Sequence, residues 1–193
     1  MALMKHPLIL SLPIVFLTFA IGISSCSNTE EDKKVATPAK KTYSSRAATA
    51  NWIKKSPKIS LLRRQVSGRY DGASSWDNIV ATANGGSAKR SWYGNAPGGY
   101  TKLDSRMLRA MKTLAQEGYT FNVTSIAGGS HSRTSRHYAG LAFDVSTING
   151  RKVRSGSPYW RAFLSRCRQL GATETLGPGD KGHSTHIHAA WPR

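Results

Sequence analysis

Five of the six histidines in this chain of 193 residues fall into two short clusters, His131 with His137, and then His183, His186 and His188. Asp144 completes the first cluster, and Gly140 stands between His137 and Asp144, where it lets the chain turn. His186 and His188 flank Ile187. On a strand, side chains two apart point to one face, so both imidazoles look toward the same point. Two imidazoles and a carboxylate around one ion, with a fourth position open, form a ligand set used by hydrolytic zinc. In the His186–His188 pair, one ring can bind metal while its neighbour handles protons.

Asp144 ends the apolar stretch Leu141-Ala142-Phe143, where an unpaired carboxylate would lose its hydration. A bound cation removes that cost. The alternative for the second cluster is a surface tract that scavenges metal. The separate histidine and aspartate upstream argue for a single constructed site instead.

The run Ser135-Arg136-His137-Tyr138-Ala139-Gly140-Leu141-Ala142-Phe143-Asp144-Val145, followed by Thr185-His186-Ile187-His188, resembles the zinc D-Ala-D-Ala peptidases. It also resembles the amino-terminal signalling domain of hedgehog proteins, which shares their fold. Val123-Thr124, His131, His137-Tyr138 and His186-Ile187-His188 lean to the hedgehog side. A bacterial hedgehog-like peptidase is the nearest description. The resemblance implies that His137, Asp144 and His188 hold Zn2+, and that His186 and His183 transfer protons. His131, Arg133 and Ser135 are the residues expected to contact substrate. It implies hydrolysis of D-amino-acid-containing peptide bonds in peptidoglycan, as a D,D-carboxypeptidase or endopeptidase. Zinc suits that task because it lowers the pKa of bound water from ~15.7 to about 7.

This chain departs from the peptidases at two places. Their acidic base stands three residues before the distal ligand, where this chain has Thr185. Their arginine upstream of the first ligand is also missing, since that stretch reads Thr124-Ser125-Ile126-Ala127-Gly128-Gly129. His186 is the first choice for the base, with Glu174 and Asp180 as carboxylates able to swing toward the metal. His183 and His131 would orient it or stabilise an oxyanion; Arg133 or Arg136 could stand in for the arginine, though solvated surface charge is the preferred reading of both. Two rival readings follow: a non-catalytic, zinc-containing binding module at the cell surface, and a secreted metal-dependent nuclease.

These ligands need elements to carry them. Met107, Leu108, Met111, Leu114 and Ala115 recur at helical spacing behind a cap at Asp104 or Ser105, and Gly118 ends that helix. Trp160, Phe163, Leu164, Cys167 and Leu170 mark a second helix closed by Gly171, which makes Cys167 a small core hydrophobe. Strands are expected over Tyr119–Ser125, Leu141–Ser146 and His186–Trp191. The expected fold is α+β, a small antiparallel sheet carrying the zinc ligands and flanked by helices, within a domain spanning residues 78–193. Residues 51–77 read as a basic arm or N-terminal extension. Trp92, Tyr93 and Tyr100 are assigned to the core in preference to a groove. The glycine-rich turns at Asn84-Gly85-Gly86 and Asn95–Gly99 lack a phosphate-loop lysine, which excludes that kind of nucleotide site.

Lys5 and His6 precede an apolar run from Leu8 to Ile23, the layout of a secretory leader. Ile23-Ser24-Ser25-Cys26 resembles a bacterial lipoprotein cleavage box, which implies a signal peptide over 1–25 and a lipid on Cys26. An uncleaved signal anchor is the alternative. Residues 26–50 are poor in large apolar side chains and read as a disordered tether. The chain is therefore expected in the cell envelope, anchored to a membrane outside the cytoplasm. With Cys26 lipidated, Cys167 has no partner and no disulfide framework is available. The formal net charge of +18 draws polyanions. For an exported chain the candidates are wall polymers, lipopolysaccharide phosphates and the free carboxylates of peptidoglycan peptides, with plain solubility as the equal alternative, and no specific nucleic acid is expected.

Overall fold

The computed structural model describes residues 45–193. The leader, Cys26 and all but the last six residues of the expected tether lie outside the described residues. In chain order the elements are α1 (Arg46–Lys55), β1 (Ile59–Leu61), α2 (Ser75–Ala83), β2 (Ala88–Lys89), β3 (Tyr100–Thr101), α3 (Ser105–Gln116) and β4 (Phe121–Ser125). A 3-10 turn over Arg136–Ala139 follows, then β5 (Ala142–Ile148), β6 (Arg151–Lys152), α4 (Trp160–Gln169), β7 (Glu174–Leu176) and β8 (Ile187–Ala190).

The helices start where side chains satisfy their free amide groups. The Asp104 carboxylate accepts from the amides of Arg106 and Met107, so Asp104 is the cap of α3. Ser74 and Asp77 cap α2 reciprocally. The apolar stripe of α3 buries Leu108, Met111 and Leu114 completely, each burial contributing about 1.5–3 kcal/mol. In α4 the stripe buries Phe163 and Cys167, and Phe163 packs edge-on against Tyr119 and Phe121. Burial pushes the Cys167 thiol up to about 12, in keeping with a packing role.

One sheet runs in the order β1-β4-β5-β8-β7, with β6 paired to β5. Its alternation decides everything that follows. Phe121, Val123, Phe143, Val145, Ile187 and Ala189 belong to the core shared with the helices. Asn122, Thr124, Asp144, Ser146 and His188 line a cleft on the other face. A bulge at Thr124, between the pairs Val123–Val145 and Ser125–Asp144, brings Ser125 opposite Asp144.

Two expectations are corrected. The sheet is mixed, because β1 pairs in parallel with β4 after a crossover through α2 and α3. The folded unit also begins well before Asn78: α1 buries Ala50 and Ile53 in the common core, and β1 is a strand of the sheet. Residues 46–50 are thus helix within the stretch read as tether, and 51–77 are integral to the domain. Trp92 and Tyr100 are 63% and 64% exposed, so neither belongs to the core, while Tyr93 lines the cleft.

Replacing Ile53 by alanine empties a fully buried site on α1 and is expected to cost about 2–4 kcal/mol in urea unfolding followed by circular dichroism. A loss below about 0.5 kcal/mol would detach α1 from the cooperative unit.

Candidate metal centre

Asp144 on β5 and His188 on β8 are direct cross-strand partners in an antiparallel pair, which aims both side chains at one point. His137 arrives from outside the sheet, on the 3-10 turn. That turn ends at Gly140, whose φ of +71° lies in the left-handed region. A Cβ there would come within 2.5 Å of the Lys102 carbonyl oxygen, so only glycine lets the chain pass from His137 to Asp144 at this place. The Ser135 hydroxyl caps the turn by accepting from the His137 amide.

The ring orientations are set from behind. His137 Nδ1 lies 2.6 Å from the Ile126 carbonyl oxygen and donates to it. His188 Nε2 lies 3.0 Å from Glu174 Oε1 and donates there. Each ring therefore turns a lone pair inward, the arrangement that outer hydrogen bonds impose on metal-binding histidines. His137 Nε2 and His188 Nδ1 are 3.0 Å apart, and they stand 3.1 and 2.9 Å from Asp144 Oδ1. With both ring protons committed outward, none of the three inner atoms has a hydrogen to offer the others. Such a buried triangle of lone pairs is held by positive charge, either a proton kept on an imidazole or a metal cation.

The electrostatics agree. Burial alone would lower the His137 pKa, yet the charge and hydrogen bond of Asp144 outweigh it and hold it above the ordinary histidine value. Burial would raise the Asp144 carboxyl, but His137 and His188 together hold it well below the usual carboxylate range.

His131 offers a second, looser set. Its ring stacks on His137 at 3.9 Å between centroids, and donor atoms of His131, His137 and Asp144 all lie within 4.8 Å of one another, a group able to hold a metal ion. Nε2 of His131 is already engaged, 3.0 Å from the Gly128 carbonyl oxygen and 3.2 Å from Ser125 Oγ. The triangle that includes His188 is the tighter of the two. Burial, with the neighbouring His137 charge, pushes the His131 imidazole down to about 4.

These groups line a cleft of about 1350 Å³ that also takes in His183, Thr185 and His186. His186 precedes β8 and is half-buried. Burial lowers its pKa below the ordinary histidine value. His183 stands 4.9 Å from His186 between ring centroids and 5.9 Å from His188, and its Nδ1 donates to the Lys181 carbonyl. Neither ring bonds into the triangle, so both stand beside it with ring nitrogens available to the cleft.

The other expected residues are sorted by this geometry. Ser135 lines the cleft, whereas Arg133 is exposed and outside its lining. Arg136 does line it but is committed, bonding Thr173 and the Trp191 carbonyl and lying 3.6 Å from Glu174. Asp180 accepts from the Gly177 amide and closes a turn. Glu174 faces the back of His188, so its carboxylate fixes the orientation of that ring. That role has no local sequence signal, because the two residues meet only through the pairing of β7 with β8. Comparison of the chain with protein-family models, with curated proteins and with solved structures finds no match in any of the three.

His131 carries a consequence for acid stability. Its folded-state pKa of about 4 lies below the ordinary 6.5, so the unfolded chain takes up this proton first as pH falls. The stabilisation is full above pH 6.5 and is lost between there and about 4. In chelator-treated protein, the urea midpoint should fall through this window, and His131→Asn should flatten that fall. An unchanged slope in the variant would remove His131 as its source.

Proposed function

We propose that the protein is a zinc-dependent peptidase that hydrolyses D-amino-acid-containing peptide bonds of peptidoglycan, as a D,D-carboxypeptidase or endopeptidase. The observation that carries this reading is the buried triangle of His137, Asp144 and His188 lining a cleft beside two further imidazoles. The donor set fits zinc. Tetrahedral zinc holds nitrogen and oxygen ligands at about 2.0–2.2 Å, which sets ligand atoms roughly 3.3 Å apart, near the contacts of 2.9–3.1 Å here.

When bound, zinc supplies a Lewis acid that polarises a carbonyl and eases the ionisation of water near neutral pH. The remaining work falls to the chain. His186, in the same cleft and with its pKa lowered by burial, takes the proton of the attacking water and returns it to the leaving nitrogen. His183 steadies that ring. Glu174 fixes the tautomer of His188, and Arg136 holds Glu174 in turn. Preference for D-amino acids rests on the sequence resemblance. So do the lipid on Cys26 and a place in the cell envelope, which fall outside the described residues. Among the described residues no helix is long and apolar enough to cross a membrane.

One observation favours the rival reading of a zinc-containing binding module. Both carboxylates lining the cleft, Asp144 and Glu174, are engaged, so no acid is free to act as base. Digestion of purified peptidoglycan, with muropeptides read by mass spectrometry and zinc by atomic emission, separates the two. His186→Ala should retain zinc and lose about a hundredfold or more in rate, whereas His188→Ala should lose zinc and activity together. Unaltered protein that keeps zinc and releases no product would leave the binding module standing. Glu174→Ala should weaken zinc binding by about 10–100-fold in competition with a chromophoric chelator. An unchanged affinity would deny Glu174 its orienting role.

A further inference from the structure

Building on the peptidase reading, we propose that Arg63 and Arg64 are the specificity-determining residues of the cleft, and that they select a peptide bearing a free carboxylate. Both belong to the run Leu62–Gly68, every residue of which lines the cleft. Leu62 follows β1 and His186 precedes β8, with β4 and β5 between those strands, so this run forms the wall across the sheet from the histidines.

The wall is held in shape before any ligand arrives. The Leu62 amide donates to the Val123 carbonyl, and the Leu62 carbonyl accepts from the Trp76 amide. A tight turn follows, in which the Gln65 amide donates to Arg69 and the Gly68 amide to Gln65. Gln65, only 5% exposed, pins the turn by donating from its side-chain amide to Asp71, 3.0 Å away, and to Ser91. Ser91 Oγ in turn accepts from the Gly129 amide, in the loop that carries His131. Gly128 packs so closely that a Cβ would come within 2.0 Å of the Ala73 carbonyl oxygen. The wall and the metal loop therefore form one rigid assembly, which lowers the ordering cost of binding.

Charge decides what such a wall would hold. Both acids of the cleft are neutralised by their own partners, as described above. Of its arginines, Arg136 is bound to Glu174, and Arg193 donates to the Thr134 carbonyl. Arg63 and Arg64 make no ion pair among the described residues. The guanidinium of Arg63 lies 3.9 Å over the Trp76 ring, and that of Arg64 lies 5.8 Å from the Tyr70 ring. Aromatic contact occupies the face of a guanidinium and leaves its edge donors for a ligand, and that forked edge matches a carboxylate. The wall on the histidine side, residues 182–186, has neither lysine nor arginine. Two free cations on one wall suit a single oxyanion at one end of a peptide, whereas a nucleic-acid backbone needs cations repeated along its track.

Calorimetric titration of the zinc-loaded His186→Ala variant with L-Lys-D-Ala-D-Ala, as free acid and as C-terminal amide, tests this with turnover slowed. The acid should bind about tenfold or more tightly than the amide. Adding Arg63→Gln and Arg64→Gln together should abolish that difference while leaving amide binding within about twofold. Each single substitution serves as the check should the double variant lose stability. Equal binding of the two peptides, discrimination that survives the double substitution, or a short single-stranded oligonucleotide that binds more tightly than the acid would overturn the proposal. Arginine-dependent selection of the acid by a protein that never hydrolyses peptidoglycan would uphold the wall and sink the peptidase. Hydrolysis without that selection would do the reverse.

Discussion

Two imidazole nitrogens and one carboxylate oxygen, pressed to about hydrogen-bonding distance with their protons turned away, form the constraint on which the rest of this molecule depends. Left to themselves, such atoms repel one another and forgo water. Their approach is tolerated because the surrounding chain fixes each ring from its far side and because positive charge, a proton on an imidazole or a metal cation, relieves the triangle. Each supporting contact has this purpose: the Ile126 carbonyl behind His137, Glu174 behind His188, and the Arg136 guanidinium behind Glu174.

The sheet converts that demand into geometry. Its inner face is apolar and packed, so it cannot shift to suit a ligand. Its outer face carries the polar residues of the cleft. Because Asp144 and His188 are register partners, a slip of one residue on either strand would turn one of them into the core and an apolar side chain out of it. Hydrophobic alternation and the geometry of the triangle thus select the same pairing.

Much of this was legible in the chain. Helices α3 and α4 declared themselves by periodic apolar residues and by their closing glycines, and Asp104 marked the start of α3. The meeting of His137, Asp144 and His188 was legible because histidine and aspartate in an apolar, alternating context are costly without a compensating charge. Helix α1 was hidden, since the Ala- and Thr-rich stretch that opens it has the composition of a tether and buries only small side chains besides Ile53. β1 was hidden for a different reason. Three residues give too little alternation to count, and a parallel partner some sixty residues away leaves no local mark. The partners of the ligands were similarly obscure, because Glu174 and the Leu62–Gly68 wall reach the site only through tertiary pairing.

The placement of β8 between β5 and β7 has a bearing on timing. During synthesis from the N-terminus, His137 and Asp144 have both emerged once β5 is made, while β7 pairs with no other strand and must wait. Only when Ile187–Ala190 slots between them does His188 complete the triangle and the sheet close. A nascent chain halted short of that point has no complete centre, so whatever reactivity the site possesses is withheld until the domain has been fully made.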